Sequence, residues 1–595
     1  MLSKIQFDVL YTVCCNHNNT PLRQRDLAQQ QNVSLGKINA CCKDLKRDGL
    51  LDEQMRITPD GIRVLEPYRV KNAIIMAAGM SSRFAPLSYE KPKSLLVVKG
   101  EVLIERQIRQ LKETGILDIT VVVGYMKEKM FYLADKMGVN VIVNEDYYRY
   151  NNTSTLIRVA DKLSNTYICS SDNYFTENVF EPYVYQPYYA AVFEPGETDE
   201  YCLKCNSKGR IQQVNIGGRA SWYMIGHVYF SREFSRKFVE ILKTEYSSPV
   251  TKAQLWEDLY IRHISELDLY IRTYDENQIL EFDSLEDLRK FDSNYVANVD
   301  SNIFRNIKKV FQCDDSEILV IQPLKTGMTN TSFVFSCRGE KYVYRHPGIG
   351  TNAYINRASE FCAMKTAKEL GLDNTYICMD PAEGWKISHY IENAKTLDYH
   401  DAAQVDEALS MMRRLHNANI DTKYDFDLLG MIRKFSKEIE QQGRDNFVDY
   451  AALSRDTKEL FEFTEQDNVP KCLCHCDCYD PNFLIDQKGK MYLIDWEYSG
   501  KADPACDLGT FIACSDYSSD EAQDIIRRYL QRDPLPGELR HYLAYVSILS
   551  YYWFLWALYQ ESIGKTVGEY LYTWYKYTKL YGAQARMLYK GENAV

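Results

Sequence analysis

Apolar residues recur at helical spacing in three stretches of the first 68 residues. The first stretch covers residues 5–15, and Thr20 and Pro21 suit the start of a second helix. Ser34 is placed to cap a third helix, which Asp48 and Gly49 end before a short hairpin over residues 50–58. This third helix alternates apolar Ile38, Cys41, Cys42 and Leu45 with basic Lys37, Lys43, Lys46 and Arg47. The pattern predicts a small helical module that ends in a turn and a wing.

Apolar strand patterns alternate with helical patterns between residues 70 and 295. The alternation predicts a mainly parallel sheet with helices on both faces, and ligands then gather at the carboxyl ends of its strands. The predicted strands cover residues 72–77, 119–123, 139–143 and 167–170, and an amphipathic helix covers residues 102–114. The central part of the chain is therefore an α/β domain with a Rossmann-like mixed sheet.

The pattern changes character after residue 296. Residues 318–344 predict several strands with a glycine turn, and the chain after Glu360 is mostly helical apart from residues 472–493. A strand-rich small lobe followed by a helical large lobe is the plan of a bilobal, protein-kinase-like α+β domain. Residues 542–560 carry no charge and approach the length of a membrane span. Because that stretch contains two serines and five tyrosines, we expect a buried helix instead.

Length and charge set the number of domains and exclude one function class. At roughly 100–200 residues per domain, the 595 residues predict a multidomain protein, which we divide at 1–68, 70–295 and 300–595. The net charge of −11 excludes a nucleic-acid-binding surface over the whole protein. Residues 1–70 carry ten basic and eight acidic residues, about +2, which leaves about −13 for the remainder. The front of the chain therefore has a different character from the rest.

The seventeen cysteines do not form the pattern of a disulfide framework in so long a chain. The first residues lack the apolar core of a signal peptide, so we expect a reducing cytoplasm. Cys202 and Cys205 form a lone Cys-x-x-Cys pair. Zinc binding by this pair is the less favoured interpretation, because no second pair of ligands accompanies it. The alternating set Cys472, Cys474, Cys476 and Cys478 predicts small apolar filling beside a buried strand.

A loop of small residues follows the first predicted strand of the central domain. Ala78, Gly79 and Ser81 let the backbone approach a triphosphate, whose oxygens successive N–H groups can bind. Arg83, four residues after Gly79, and Lys93, in Lys-Pro-Lys, supply positive charge for the phosphates and for a leaving pyrophosphate. We therefore assign both cations a catalytic role in nucleotidyl transfer.

These residues resemble the nucleotidyltransferase superfamily, and within it the bacterial CTP:phosphocholine cytidylyltransferases. Further similar motifs are Gly124-Tyr125, Tyr150-Asn151-Asn152-Thr153-Ser154, Ser171-Asp172-Asn173-Tyr174 and Trp256-Glu257-Asp258. The superfamily usually has glycine where Ser81 stands. The resemblance implies that Gly79, Arg83 and Lys93 hold the triphosphate of CTP and that Asp172 and Asp283 bind Mg²⁺. Asn152 is a candidate for recognising the edge of the pyrimidine base. Glu257 would meet the cationic end of phosphocholine, with a helix-surface acid pair as the open alternative.

A second constellation lies near the end of the chain. His475-x-Asp477, Asn482 and Asp495 have the spacing of a catalytic loop, a hairpin and a metal-binding aspartate. In phosphoryl transfer Asp477 would accept the proton of the substrate hydroxyl, and Asn482 and Asp495 would bind Mg²⁺. This spacing predicts a small-molecule kinase that uses ATP.

The predicted small lobe supplies the nucleotide-binding residues of this kinase. Gly327, Thr329 and Asn330 lie in a loop between two strand-like runs and can fold over the phosphates of ATP. Arg345 stands on the next strand, where kinases usually keep a phosphate-binding lysine. Glu360 is its expected ion-pair partner.

The large lobe resembles choline kinases and the related aminoglycoside phosphotransferases through Asp495-Trp-Glu-Tyr and Asp503-Pro…Asp507-Leu-Gly. Arginine at position 345 is also similar to choline kinases. Trp553 and Trp556 share a helix face and can hold a quaternary ammonium group, which cannot donate a hydrogen bond. Glu497 and Tyr498 are candidate companions in this choline site. Ordinary core packing of the tryptophans stays open as the alternative.

Both resemblances together imply a bifunctional enzyme that makes phosphocholine from choline and ATP, then CDP-choline from phosphocholine and CTP. Bacteria with this pattern use CDP-choline to decorate surface glycans with choline. The same chemistry on ethanolamine, another amino alcohol or an aminophosphonate stays open. Residues 1–68 resemble a winged helix-turn-helix domain, so a ligand-sensing regulator is a third reading. With a charge of only about +2, we favour protein contacts over DNA for this module, and no oligomeric state follows from the sequence.

Overall fold

The computed structural model describes residues 2–16, 22–81, 84–282, 285–292, 301–324, 330–348, 351, 355–443, 447–562 and 567–591. The chain divides into two compact units, Met1–Asn306 and Ile307–Val595. The helical module at the front is part of the first unit, together with the central α/β region.

The front module contains four helices around a small apolar core. They are α1 (Lys4–Cys14), α2 (Gln24–Gln30), α3 (Leu35–Arg47) and α4 (Pro59–Leu65). The three predicted helices are confirmed in place, but Arg23 occupies the cap position of α2, while Thr20 and Pro21 lie outside the described residues. Ser34 stands at the cap position of α3 without making a side-chain cap hydrogen bond. The predicted hairpin is a single antiparallel bridge between Leu51 and Ile57.

The sheet of the first unit has seven strands in the order β10-β8-β9-β6-β1-β4-β5. Strands β6, β1, β4 and β5 pair in parallel, as predicted, whereas β9 runs antiparallel to β6. The strands of this unit are β1 (Asn72–Ala77), β2 (Val97–Val98), β3 (Glu101–Val102), β4 (Ile119–Val123), β5 (Asn140–Val143), β6 (Thr166–Ser170), β7 (Asn173–Phe175), β8 (Tyr188–Cys205), β9 (Ile211–Phe230), β10 (Tyr270–Thr273) and β11 (Ile279–Glu281).

Helices cover both faces of this sheet because its strands are apolar on both sides. Ile75 and Val121 pack into one apolar cluster with helix Leu103–Glu113, and Ile74 and Val122 pack into the other with helices Arg232–Glu245 and Trp256–Arg262. The helices are α5 (Leu87–Glu90), α6 (Leu103–Glu113), α7 (Tyr132–Met137), α8 (Thr153–Arg158), α9 (Arg232–Glu245), α10 (Pro249–Ala253), α11 (Trp256–Arg262) and α12 (Leu285–Phe291).

The second unit begins with a five-stranded antiparallel sheet in the order β12-β13-β14-β16-β15. Its strands are β12 (Ile318–Leu324), β13 (Thr331–Cys337), β14 (Glu340–His346), β15 (Tyr376–Met379) and β16 (Lys386–His389), with helices Asn302–Phe311 and Arg357–Glu369 beside them in the chain. The glycine turn between β13 and β14 places Gly339 at φ +83°, which an L side chain rarely adopts. The predicted strand-rich lobe is confirmed.

A helical lobe completes the second unit. It carries the short strands β17 (Lys395–Thr396), β18 (Cys472–Cys474), β19 (Phe483–Ile485), β20 (Met491–Leu493) and β21 (Gly500–Ala502). Its helices are Ala402–Asn417, Leu428–Gln441, Tyr450–Gln466, Ala505–Ala513, Ser519–Leu530, Pro536–Ser562 and Tyr570–Lys590. This order of strands and helices is the predicted kinase-like plan.

The uncharged stretch forms the interior of helix Pro536–Ser562, and every residue from 543 to 558 is buried. The prediction of a buried helix is therefore confirmed. Among the described residues, no helix is both long and apolar enough to cross a membrane. All seventeen cysteines are unbonded, and Cys472, Cys474, Cys476 and Cys478 are all buried, as the apolar-filling interpretation predicts.

Candidate active sites

The carboxyl ends of β1 and β6 form one edge of a cavity of about 320 Å³ in the first unit. Because the two strands pair in parallel, the loop after β1 and the loop after β6 come together there. Ala78, Gly79, Ser81, Lys93, Asn152 and Asp172 all line this cavity. The structure thus unites six of the predicted site residues, which lie up to 94 positions apart in the chain. Arg83 and Asp283 lie outside the described residues.

Two backbone features shape the phosphate loop. Ser81 has φ +47°, the left-handed conformation that glycine adopts without strain, so serine keeps here the geometry expected of the superfamily's glycine. Gly124 is in close contact with the loop, since a Cβ at this position would lie 2.8 Å from the carbonyl oxygen of Ala78. A larger residue at 124 would collide with this loop and with Tyr147.

Lys93 and Asp172 form an ion pair inside the cavity, with 2.8 Å between Nζ and Oδ2. The Lys93 side chain is nearly buried, and its ammonium also lies 4.8 Å from the ring centre of Phe84. The cation of Lys93 suits binding of a triphosphate. The hard carboxylate oxygen of Asp172, at the same point, suits binding of Mg²⁺. The Asp172 carboxylate therefore fits a magnesium ligand, with Lys93 as its partner in this structure.

Glu257 lies behind the cavity and is not part of its lining. Its two carboxylate oxygens accept hydrogen bonds from Asn152 Nδ2 (3.3 Å) and Tyr189 Oη (3.0 Å). Burial raises the pKa of this carboxyl group from 4.5 to about 7. The side-chain oxygen Oδ1 of Asn152 in turn accepts a hydrogen bond from the backbone N–H of Trp256 at 2.6 Å. Glu257 thus orients Asn152, and the interpretation as an acid pair on a helix surface is wrong because the side chain is buried.

In the second unit, strand β18 leads directly into the loop predicted to be catalytic. Asp507 anchors this loop because its carboxylate accepts the backbone N–H groups of His475 (3.0 Å) and Cys476 (2.6 Å). Asn482 donates from Nδ2 to both the carbonyl and the carboxylate of Asp477, each at 2.9 Å. The side-chain oxygen of Asn482 is therefore the group it can offer to a cation. The structure brings Asp477 and Asn482 together as predicted.

The carboxylates of this site differ in protonation tendency. Burial raises the pKa of Asp477 well above its ordinary value, and the nearby charges of Asp495 and Glu497 raise it further. Burial also acts on Asp495, but Lys386 and Arg345 outweigh it and hold its pKa at about 2. Asp495 is thus the permanently ionised member of the set, as a magnesium ligand must be.

Asp495 has φ +63°, a left-handed conformation that turns its carboxylate toward the small-lobe sheet. Its Oδ1 lies 3.2 Å from both Arg345 Nη1 and Lys386 Nζ. Arg345 also pairs with Glu360 at 2.6 Å, so the predicted arginine–glutamate pair is present and fully buried. A buried arginine with three carboxylate partners is held in one orientation at the small-lobe end of the site.

Glu497 contacts residues of the small lobe. Its Oε2 accepts a hydrogen bond from Asn330 Nδ2 at 2.6 Å and lies 3.5 Å from Arg345 Nη1. Burial, followed by the charge of Asp495, raises the pKa of Glu497. This placement differs from the predicted role of Glu497 beside choline. Gly327 and Thr329 of the predicted phosphate loop lie outside the described residues.

Two cations of this site were missed by the sequence analysis. Lys386 on β16 pairs with Asp495 (3.2 Å) and Glu360 (3.5 Å), and Arg357 pairs with Glu360 at 2.9 Å. Both side chains are nearly buried. In the sequence, both residues are charged at positions where the surrounding pattern predicts a buried face. That signal does not indicate which acidic residue each of them pairs with.

Trp553 and Trp556 belong to an aromatic cluster, with 5.7 Å between their ring centres. Trp574 from the last helix joins both, at 6.0 and 6.5 Å, and Tyr570 stacks on Trp574 at 5.2 Å. Tyr498, predicted as a companion of the tryptophans, contacts Trp553 with 5.7 Å between the ring centres. Trp574 and Tyr570 were missed, although their spacing of four residues on one helix is a signal that could have indicated a shared face.

This aromatic cluster meets two segments of the predicted kinase site. Tyr498 directly follows Glu497 in the chain, and Tyr570 Oη lies 3.4 Å from the Asp480 carboxylate, three residues after Asp477. Asp480 is half-buried, and burial raises its pKa. The arrangement places aromatic faces next to a carboxyl group of the loop that carries Asp477, and such a combination suits recognition of an organic cation.

Comparison with known proteins agrees with this division of the chain. The sequence model of the MobA-like NTP transferase domain matches residues 73–182, and that of choline/ethanolamine kinase matches residues 321–550. The choline-phosphate cytidylyltransferase of Streptococcus pneumoniae is 34% identical, over 37% of this chain and 96% of that enzyme. The 2-aminoethylphosphonate cytidylyltransferase of Lancefieldella rimae is 35% identical, over 38% of this chain and 93% of that enzyme.

The second unit has a separate set of relatives. A probable ethanolamine kinase of Arabidopsis thaliana is 26% identical, over 43% of this chain and 77% of that protein. The chain covers nearly all of two cytidylyltransferases at more than 30% identity. The chain therefore belongs to the family of these cytidylyltransferases, and its residues 321–550 are similar to choline/ethanolamine kinases.

Proposed function

We propose that the chain is a bifunctional transferase that makes CDP-choline in two steps. The second unit phosphorylates choline with ATP, and the first unit couples phosphocholine to CTP and releases pyrophosphate. The observation that carries the proposal is the presence of two built sites on one chain. Asp477, Asn482 and Asp495 lie beside an aromatic cluster in one unit, and Lys93 and Asp172 meet in a cavity of the other.

In the kinase step the choline hydroxyl oxygen attacks the γ-phosphorus of ATP, and ADP leaves with the bridging oxygen. Asp477 accepts the hydroxyl proton. Arg345 and Lys386 lie where they can bind the phosphates, and Asn330 is placed at the same end of the site. Trp553, Trp556 and their neighbours hold the trimethylammonium group. The ionised Asp495 and the oxygen of Asn482 suit Mg²⁺, which when bound would offset charge on the phosphates.

In the transfer step a phosphate oxygen of phosphocholine attacks the α-phosphorus of CTP in line, and the bond to the β-phosphate breaks. The backbone of Ala78, Gly79 and Ser81 would bind the triphosphate, with Lys93 near the leaving pyrophosphate. Asn152 would read the cytosine edge, held in place by Glu257. Asp172 would bind Mg²⁺, together with Asp283 if it follows the family, and Arg83 would add charge at the triphosphate.

We propose further that the product serves the choline decoration of surface glycans and that both reactions occur in the cytoplasm. The unbonded state of all seventeen cysteines is consistent with a reducing compartment. The domains proposed are residues 1–68, 70–295 and 300–595. The first of these has the order helix, turn, helix and short β-bridge, which supports a winged helix-turn-helix domain.

Phosphorus NMR of the full chain with Mg²⁺, ATP, CTP and choline tests the proposal. We expect CDP-choline and pyrophosphate from the unaltered chain. Asp172→Asn should accumulate phosphocholine, and Asp477→Asn should yield CDP-choline only when phosphocholine is supplied. Failure to form phosphocholine would refute the kinase assignment, and unchanged CDP-choline formation by Asp172→Asn would refute the transferase site.

Aminophosphonates and ethanolamine define the rival substrate class, because the 2-aminoethylphosphonate enzyme is as similar as the choline-phosphate enzyme. The same assay with ethanolamine and with 2-aminoethylphosphonate separates the two. A higher kcat/KM for either compound than for choline or phosphocholine would replace choline in the proposal. A regulator without catalysis is disfavoured, since a binding module has no need of a catalytic base such as Asp477.

A further inference from the structure

Lys93 enters the nucleotide cavity from a short segment, residues 87–93, that includes helix α5. Pro92 and Lys93 line the cavity, whereas Glu90, three positions before Lys93, is not part of its lining. The carbonyl oxygen of Glu90 accepts a hydrogen bond from Lys129 Nζ at 2.6 Å. Because the ring of Pro92 restricts the backbone between Glu90 and Lys93, a displacement of Glu90 is transmitted to Lys93.

The Glu90 carboxylate binds the first turn of the ten-residue helix that begins at Asn302. Its Oε1 accepts the backbone N–H groups of Asn302 (2.8 Å) and Ile303 (3.3 Å), and its Oε2 accepts a hydrogen bond from Ser301 Oγ. Ser301 Oγ in turn accepts the backbone N–H of Phe304 at 3.3 Å. Glu90 and Ser301 together therefore satisfy the first three N–H groups of this helix, which have no partner within it.

Electrostatics and burial both favour this contact. A carboxylate at the N-terminus of a helix is stabilised by the helix dipole. Ser301 is only 3% exposed, and Ile303, Phe304 and Ile307 of the same helix are buried. The contact joins residues that lie 211 to 213 positions apart in the chain. It lies wholly within the first compact unit, because that unit extends to Asn306.

We propose that Glu90 is a positioning residue of nucleotidyl transfer, and that the first turn of helix Asn302–Phe311 holds it in place. Glu90 touches no substrate, but it fixes the segment from which Lys93 meets the triphosphate. The helix is the first element of the proposed kinase domain, residues 300–595. The transferase site is thus completed by residues that follow the proposed transferase domain. The inference rests on the proposed function of the first unit as a CTP transferase.

The test compares transfer of phosphocholine to CTP by the full chain and by substituted chains. Glu90→Ala should lower kcat/KM for CTP by about 10- to 100-fold, because a misplacement of about 1 Å has effects of that size. KM for CTP should rise and KM for phosphocholine should stay unchanged, since Lys93 serves the triphosphate. Glu90→Gln keeps an oxygen that can accept a hydrogen bond and should lose less than about tenfold. Loss of folded protein alone would lower kcat and leave both KM values unchanged.

Ser301 provides a second route to the same contact. Ser301→Ala should lower kcat/KM for CTP by about 2- to 5-fold in the unaltered chain and should have no further effect in Glu90→Ala, because both side chains belong to one network. Ser231→Ala is the matched control. Ser231 caps α9 as Ser301 caps its helix, accepting the backbone N–H of Phe234 at 3.3 Å, and it does not line the nucleotide cavity. Its substitution should lower Tm and leave both KM values unchanged.

Hydrogen–deuterium exchange supplies a readout that does not require catalysis. Residues 87–96 should exchange faster in both Glu90→Ala and Ser301→Ala than in the unaltered chain. An unchanged KM for CTP in Glu90→Ala, or fully additive effects of the two substitutions, would overturn the inference while the transferase assignment stands. If the unaltered chain transfers nothing to CTP, the proposed function fails. Exchange then decides the inference separately: unchanged exchange of residues 87–96 in Glu90→Ala would overturn it, and faster exchange would support it.

Discussion

Replacing Trp556 by leucine tests whether the aromatic cluster holds choline or is ordinary core. The Trp556 side chain is 5% exposed, and its indole N–H has no hydrogen-bond partner among the described residues. The substitution therefore removes an aromatic face without breaking a hydrogen bond, unlike a change at Trp553, whose N–H donates to Thr510 at 3.4 Å. Loss of one desolvated cation–π contact costs about 1–2 kcal/mol, or roughly 5- to 30-fold in kcat/KM for choline.

Ethanolamine provides the comparison within the same protein. Its ammonium group can donate hydrogen bonds and stay partly hydrated, so we expect its kcat/KM to fall less than about threefold in Trp556→Leu. A coupled assay of ADP formation with each alcohol measures both values. Transfer of phosphocholine to CTP by the other unit should be unchanged, which gives an internal check on the amount of intact protein.

Phe554→Leu is the control for packing. Phe554 lies two residues away on the same helix, is fully buried, and contacts Phe447 and Tyr575 rather than the tryptophans. It should lower thermal stability with little change in the choline-to-ethanolamine ratio. Equal losses for both alcohols in Trp556→Leu, or the same change in ratio in Phe554→Leu, would refute the cation-binding interpretation of the cluster.

Three further substitutions test the other parts of the two sites. Lys386→Met should lower kcat/KM for ATP in choline phosphorylation by about 10- to 100-fold, because it removes one of the two cations at the phosphate end. Asp507→Asn should lower kcat by at least about tenfold with a smaller effect on KM, because it weakens the anchor of the catalytic loop. The pKa of Glu257 is higher in the folded protein than in the unfolded chain. Its contribution to the free energy of unfolding is therefore fully present below pH 4.5 and is lost as the pH rises through about 7. Glu257→Gln should abolish this pH-dependent loss of unfolding free energy, which amounts to at most about 3 kcal/mol. Thermal inactivation of the CTP-transfer activity should then depend less on pH between about pH 5 and 8.

Matched exposed residues serve as controls for these three. Lys488→Met removes the charge of an exposed lysine and is the control for Lys386→Met. Asp516→Asn and Glu240→Gln remove the charge of exposed acids and are the controls for Asp507→Asn and Glu257→Gln. All three should leave the measured quantities unchanged. Normal ATP kinetics in Lys386→Met, normal kcat in Asp507→Asn, or an unchanged pH profile in Glu257→Gln would each contradict the role assigned from the contacts.

The residues that act within one loop were predictable from the sequence. Asp477 and Asn482 lie five positions apart, and the loop that joins them brings their side chains to 2.9 Å. The small residues after β1 and the aspartate after β6 were predictable for a related reason. Parallel strands of an α/β sheet end at a common edge, so residues that follow two such strands meet there whatever their separation.

Partners brought together by packing of separate elements were not predictable. Lys386 and Asp495 are 109 positions apart, and nothing local to either marks the other, yet their side chains pair at 3.2 Å. Trp574 reaches the two tryptophans because two long helices pack side by side. Glu257 was expected to contact the substrate. Because α11 is buried against β8, its carboxylate instead accepts hydrogen bonds from Asn152 and from Tyr189 of β8.

The sequence by itself determined the order of the domains, most of the strands and helices, and the residue types of both catalytic centres. It did so because hydrophobic periodicity and loop motifs are read over a few neighbouring residues. Only the tertiary structure decided which charges are paired, which acids are buried, and which helix binds the segment that carries Lys93. These properties depend on the distance between residues far apart in the chain, and that distance is set by how whole elements pack.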